Sequence, residues 1–97
     1  RDRLGRLAYA ISMHPGLLGV GVDENTCAIV EDDQHITVCG RNAITIVDGK
    51  EMVSTNVAEA EGSRPVAVSG LKIHVLTQGC SFDMKKREAM IPRLRLE

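Results

Sequence analysis

A chain of 97 residues with one Tyr, one Phe and no Trp must build any core almost wholly from aliphatic side chains, since the rings that usually dominate buried area are missing. A formal net charge of -1, without an extended basic run or aromatic platforms, argues against a nucleic-acid partner. No apolar run approaches the roughly 18 residues of a membrane span, so the sequence predicts neither a membrane partner nor a spanning segment.

Arg1, Arg3 and Arg6 crowd the first six residues, a local excess of guanidinium that points to an anionic ligand. Leu4, Leu7, Ala8 and Ile11 recur at helical spacing, which predicts a helix with one apolar stripe turned toward a sheet. Pro15 stops it near Met13. At about 100° per residue, Arg3 and Arg6 stand only about 60° apart, so both reach one anionic group while Arg1 approaches from the preceding turn. A solvated basic face is the alternative. Asp2 is the sole candidate cap for this helix, and the chain opens on Arg rather than Met; a portion of a larger polypeptide is the expectation. His14, beside Pro15, suits the carbonyl dipoles of a helix end.

Leu18-Gly19-Val20-Gly21-Val22 reads as a buried strand that ends abruptly in Asp23-Glu24-Asn25-Thr26. In an α/β sheet, residues just past the carboxyl end of a strand face a crevice and are held rigidly by it. Asp23 or Glu24 is therefore the first candidate for chemistry, and a turn of solvated acids is the competing reading. Beyond them come short stretches rich in Val, Ile and Thr over residues 27–30, 36–39, 43–47, 66–68 and 71–76, all predicted as strands. Turn residues at 31–34 and 48–50 predict antiparallel neighbours and a β-meander. Residues 54–61 read as a short helical turn before a Gly62-Ser63-Arg64-Pro65 loop, residues 82–90 as helical or irregular, and 93–97 as a loose charged tail.

Cys27, Cys39 and Cys80 contain no Cys-x-x-Cys pair. Their aliphatic neighbours suit buried or half-buried reduced thiols better than a disulfide framework or a metal site. Cys27, three residues beyond Glu24, is the sharper alternative as a nucleophile, against a strand Cys facing the core. His35 follows an acidic turn and is expected to be exposed. His74, inside Ile73-His74-Val75-Leu76, is expected to be a satisfied, partly buried imidazole. Neither a metal nor an organic cofactor is expected.

Arg1-Asp2-Arg3-Leu4-Gly5-Arg6-Leu7, the strand and turn from Leu18 to Thr26, Val47-Asp48-Gly49, Ser54-Thr55-Asn56-Val57-Ala58-Glu59-Ala60, Leu71-Lys72-Ile73-His74-Val75-Leu76-Thr77-Gln78-Gly79 and Phe82-Asp83 together resemble the C-terminal portion of the cyanophycinases. These are serine exopeptidases of the family that also contains aspartyl dipeptidases. The resemblance runs from Arg1 to about Arg87. It implies an α/β fold, the C-terminal part of a three-layer α/β/α sandwich related to class I glutamine amidotransferases. This portion would be mostly β with one N-terminal helix, with residues 1–87 inside a single domain and 88–97 a charged tail.

The same resemblance implies a Ser-His-Glu catalytic set in which Glu24 is the acid, with Arg1, Arg3 and Arg6 binding substrate. That substrate would be cyanophycin, a multi-arginyl-polyaspartate cut to β-Asp-Arg dipeptides, or another β-aspartyl peptide. A cytoplasmic homodimer without cofactor is implied as well. Asp23, pointing away from Glu24 along an extended chain, would brace the turn. The family pattern is incomplete here: no Gly-x-Ser-x-Gly elbow and no Asp-Gln-His segment occurs in the 97 residues,. Nucleophile and imidazole would then come from polypeptide upstream of Arg1, and this chain alone would be inactive. An aspartyl or isoaspartyl dipeptidase, and a non-catalytic β-rich module that binds anions through its arginines, are the alternatives.

Overall fold

The computed structural model describes Leu7, Ile11 and residues 16–52, 54–55 and 67–93. Among them run β1 (Leu18–Val22), β2 (Thr26–Glu31), β3 (His35–Gly40), β4 (Ile44–Asp48), β5 (Ser54–Thr55), β6 (Val68–Ser69), β7 (Lys72–Leu76), β8 (Ser81–Asp83) and β9 (Glu88–Met90). They form a three-stranded sheet in the order β1-β4-β7, a four-stranded sheet β2-β3-β8-β9, and a β5-β6 ribbon. The chain divides into two compact units, Arg1–Gly21 with Thr45–His74, and Val22–Ile44 with Val75–Glu97. The three-stranded sheet and the ribbon fall mainly in the first, the four-stranded sheet in the second.

In the first unit, Leu7 and Ile11 are helical and lie directly on β1. A Cβ on Gly19 would stand 3.0 Å from Leu7 Cδ2 and 3.3 Å from Ile11 Cγ1, and one on Gly21 3.2 Å from Leu7 Cδ1. Two glycines at i and i+2 share a face of the strand, so together they open a flat trough that Leu7 and Ile11 fill. Ile11 is 2% exposed as a result. Leu4, Ala8 and the helix end at Pro15 lie outside the described residues, as does His14. The centre of the sheet is β4, where Ile44, Ile46, Val47 and Asp48 are all buried. Such a near-continuous apolar run suits a strand with neighbours on both edges and cover on both faces.

The second unit is organised by alternation. β2 and β3 pair antiparallel from Thr26↔Gly40 to Glu31↔His35, closed by a turn in which Asp32 and Asp33 take φ of 56° and 52° and Gln34 N–H donates to Glu31 C=O at 3.0 Å. Asp tolerates this left-handed region better than most side chains, which is why the acidic run marks the hairpin. β3 pairs β8 at His35↔Asp83, Ile36↔Phe82 and Thr37↔Ser81, and β8 pairs β9 through Asp83↔Glu88. One face carries the core residues Ile36, Val38 and Phe82. The opposite face carries His35, Thr37, Cys39, Ser81 and Asp83, one position out of phase.

Several expectations change. The meander does not form: β4 lies between β1 and β7, and β3 between β2 and β8. Asp48 does not start a hairpin, because its Oδ1 accepts Lys50 N–H at 2.9 Å and Met52 N–H closes on Gly49 C=O at 3.0 Å, leading the chain out to β5. Ser54 and Thr55 are strand, paired with Ser69 and Val68, rather than helical; residues 56–66 lie outside the described set. Residues 82–90 are neither helical nor irregular but the β8-β9 hairpin, whose turn closes with Arg87 N–H on Asp83 C=O at 2.7 Å and Arg87 at φ 58°. Residues 94–97 lie outside the described set.

Candidate active-site turn

Glu24 sits in the turn between β1 and β2, and the residues around it are tied to residues 40–43. Asp23 N–H donates to Ala43 C=O at 3.1 Å, while Asp23 Oδ2 accepts Ala43 N–H at 3.3 Å. The end of β1 therefore lies beside the start of β4. Arg41 N–H donates to Asn25 C=O at 2.9 Å. Thr26 Oγ1 donates to Glu24 C=O at 3.0 Å and accepts Asn42 N–H at 3.0 Å. Asn42 Nδ2 donates to the same Glu24 carbonyl at 2.8 Å.

The consequence is a turn whose backbone is fixed and whose acid is presented outward, since the Glu24 side chain is exposed. Holding the carbonyl of a residue through two donors restricts the direction of its Cα–Cβ bond, which is what a positioned carboxylate requires. Asn25 adopts φ 57°, a left-handed value that Asn accepts readily. Gly40, opposite Thr26 in the ladder, has φ 125° and no space for a side chain: a Cβ there would lie 2.3 Å from Asn25 O and 2.6 Å from Thr26 Cα. The turn and the Gly40 backbone are thus in direct contact.

Asp23 braces this turn, as its place in an extended chain implied. Thr26, Asn42 and Gly40 were not anticipated. Their only signal in the sequence was residue type: Asn25 and Gly40 tolerate positive φ, and Thr and Asn are side chains that bond to nearby backbone. Arg1, Arg3 and Arg6 lie outside the described residues. Cys27 does not face the core. It is exposed, Cys39 is half-buried and Cys80 buried, all three with free thiols. The reason is phase, because Cys27 opposes Cys39 on the face of Thr37 rather than that of Ile36 and Val38.

A second polar cluster lies on that same face. A hollow of about 280 Å³ is lined by residues that include His35, Ser81, Asp83, Lys86 and Glu88. Gln34 Nε2 donates to both carboxylate oxygens of Asp83, at 3.2 and 3.0 Å, and Asp83 Oδ1 also accepts the N–H groups of Lys85 and Lys86 at 2.9 Å each. His35 Nε2 lies 3.5 Å from its other oxygen. The Lys86 N–H foremost, then the Gln34 amide, the Lys85 N–H and the His35 charge, hold the Asp83 carboxyl below its ordinary value against an opposing push from desolvation,. This cluster joins the tips of two hairpins. His35 is exposed, as expected, and His74 is half-buried, but the expectation of a satisfied imidazole is not met at His74 Nε2, which is buried without a hydrogen bond among the described residues. Among the described residues no group of His, Cys, Asp and Glu is arranged to hold a metal, and no helix is long and apolar enough to cross a membrane.

No protein-family model matches the chain. Among curated proteins, it is 40% identical over 90 residues to a cyanophycinase of Geminocystis herdmanii, an alignment that covers 93% of this chain and 33% of that one. The chain resembles the cyanophycinases. It is 41% identical over 88 residues to the cyanophycinase of Synechococcus elongatus, covering 91% and 27%, and 39% identical over 90 residues to that of Nostoc sp., covering 93% and 30%. The similarity therefore extends over about nine-tenths of the chain, which spans 27–33% of the length of these cyanophycinases.

Proposed function

We propose that this chain is the C-terminal part of a serine-type exopeptidase that hydrolyses cyanophycin to β-Asp-Arg dipeptides, with Glu24 as the acid of the catalytic set. The observation that carries this reading is the Glu24 turn, locked at its backbone by Asp23, Arg41, Thr26 and Asn42 while the carboxylate is left exposed. Similarity of about 40% to cyanophycinases over nearly the whole chain supports the substrate class.

A serine hydroxyl is a poor nucleophile near neutral pH, so an imidazole must accept its proton. Glu24 would bond the far nitrogen of that imidazole, fix its tautomer and stabilise the imidazolium while the hydroxyl attacks the carbonyl; the proton then passes to the leaving amine. Serine and histidine would be supplied by polypeptide upstream of Arg1, within an α/β/α sandwich related to class I glutamine amidotransferases, and the chain alone would be inactive. Each side arm of cyanophycin ends in a free carboxylate as well as a guanidinium, and Arg1, Arg3 and Arg6 would clamp such carboxylates through charge-assisted, often bidentate bonds. Homodimeric assembly and a cytoplasmic location belong to the same reading, the latter consistent with free thiols at Cys27, Cys39 and Cys80,. No cofactor enters it.

Replacing Glu24 by Gln in the complete enzyme keeps the shape of the turn and removes the charge. Turnover of cyanophycin is expected to fall on the order of 10⁴-fold, the scale seen when a triad acid becomes its amide, with an unchanged thermal melt. Wild-type turnover would remove Glu24 from the mechanism. Assaying β-Asp-Arg dipeptide beside the polymer separates a dipeptidase from a polymer-degrading enzyme.

A further inference from the structure

Cys27 and Cys39, which spacing alone left unrelated, are directly opposite each other across the β2-β3 ladder. Their pair type follows from the neighbouring bonds. Val38 N–H donates to Cys80 C=O and Val38 C=O accepts Gly79 N–H, both at 3.0 Å, so the polar groups of Val38 point toward β8 and those of Cys39, one residue on, point toward β2. Cys27↔Cys39 is therefore a hydrogen-bonded pair, for which the Cα separation is about 5.5 Å. That value lies inside the range of roughly 4.4–6.8 Å that a disulfide spans, whereas the Cβ separation of such a pair, toward the wide end of about 4.5–5.5 Å, exceeds the roughly 3.5–4.5 Å of a relaxed bridge, so a link here is strained and readily reduced. Both side chains leave the same face of the sheet, the one opposite Ile36 and Val38, and Cys27 is exposed while Cys39 is half-buried. Cys80 cannot compete: it opposes Val38 and is buried on the inner face.

We infer that Cys27 and Cys39 form a reversible two-electron redox site whose reactant is a peroxide. The exposed Cys27 thiolate attacks one peroxide oxygen, the O–O bond breaks, and the leaving oxygen departs as water with the thiol proton, leaving a sulfenic acid. The Cys39 sulfur then attacks the sulfenic sulfur, the S–O bond breaks, and a second water carries away the remaining proton. Two thiols and one hydrogen peroxide become one disulfide and two waters. A bridge at a hydrogen-bonded pair is constrained by the fixed ladder and exposed on one side, the combination that favours a labile rather than a structural disulfide. Oxidation would tie the ladder one step from Thr26↔Gly40, and so stiffen the turn that carries Glu24. That consequence rests on the proposed role of Glu24; formation of the bridge does not.

The test is peptide mapping by mass spectrometry of the full chain, fully reduced and then treated with one equivalent of hydrogen peroxide, with and without dimedone to trap sulfenic acid. The expected product is an intramolecular link between the Cys27 and Cys39 peptides, reversed by reduced glutathione, with Cys80 still a thiol. In Cys39→Ser the link is lost and the dimedone adduct on Cys27 rises several-fold above wild type. A link to Cys80, a Cys27–Cys27 link between chains, equal Cys27 trapping in wild type and Cys39→Ser, or no reaction at all would each overturn the inference. Because masses and not hydrolysis are read, failure here leaves the Glu24 reading standing, and loss of that reading leaves this one intact.

Discussion

Substituting Gly40 by Ala tests whether the Glu24 turn is held in the way its contacts imply. The new Cβ would stand 2.3 Å from Asn25 O and 2.6 Å from Thr26 Cα, both backbone atoms that cannot swing aside as a side-chain tip can. Relief requires moving the strand or the turn by the better part of an ångström, an overpacking cost of about 1–3 kcal/mol. A further cost of about 1–2 kcal/mol comes from placing a side chain at φ 125°,. Against these stands a gain of roughly 0.4–1 kcal/mol from a less flexible unfolded chain, leaving a net loss of about 1–5 kcal/mol. Two controls separate the parts. Gly79 has φ 89° with only Pro92 Cγ at 4.0 Å, and Gly16 has nothing within 4 Å, so Gly79→Ala should cost about 1 kcal/mol from strain alone and Gly16→Ala should gain roughly 0.4–1 kcal/mol. Urea unfolding reports the order directly, with Gly40→Ala lowest in midpoint, then Gly79→Ala, then wild type, and Gly16→Ala slightly above it. Equal midpoints for Gly40→Ala and Gly79→Ala would refute the clash with the turn.

Arg3→Lys and Arg6→Lys keep the charge but lose the planar fork that grips a carboxylate, so the Michaelis constant for cyanophycin in the complete enzyme should rise with little change in the melt; unchanged kinetics in both variants would remove the clamp. The Asp83 carboxyl is held below its ordinary value in the folded state, so the stability it contributes is fully present above that ordinary value and is lost as pH falls through the lower, folded one. Melts of wild type and Asp83→Asn should therefore converge in strongly acidic solution and separate above about pH 4, and curves parallel throughout would show that the carboxylate charge is not what ties the hairpin tips together.

Strand positions were largely legible in the sequence, because β-branched residues alternate or run together where the sheets need them: Ile36 and Val38 against Thr37, and Ile44 to Val47 without interruption. Pairing was not. The turn signal at Asp48-Gly49-Lys50 is real, but turn residues specify a bend and not which strands flank it, and here local capping by Asp48 sends the chain to β5. The β8-β9 hairpin escaped notice because three residues on each side are too few for a period to show, and its turn is built from Met84, Lys85, Lys86 and Arg87 rather than from Gly, Asn or Pro. What holds it is the side chain of Asp83, the last residue of β8, collecting two backbone donors of the turn and Gln34 from outside the hairpin.

The candidate site shows the same division. Glu24 was visible as an acid at the end of an apolar run, whereas Asn42 and Gly40, which fix its direction, lie 16 or more residues away along the chain and meet it only through the register of β2 on β3. That register is set by two agreeing demands. The Asp32-Asp33-Gln34 turn closes the hairpin at Glu31↔His35, and the inward alternation of Ile36 and Val38 forbids a slip of one residue, which would turn both toward solvent. A slipped ladder would also bring Cys39 or Arg41 opposite Thr26, driving a Cβ into the space that only Gly40 leaves open beside the Asn25 carbonyl. It would separate Cys27 from Cys39 in the same movement. The direction of the Glu24 carboxylate and the juxtaposition of the two thiols are thus one property of the molecule, decided by a hairpin turn some eight residues from the acid it aims.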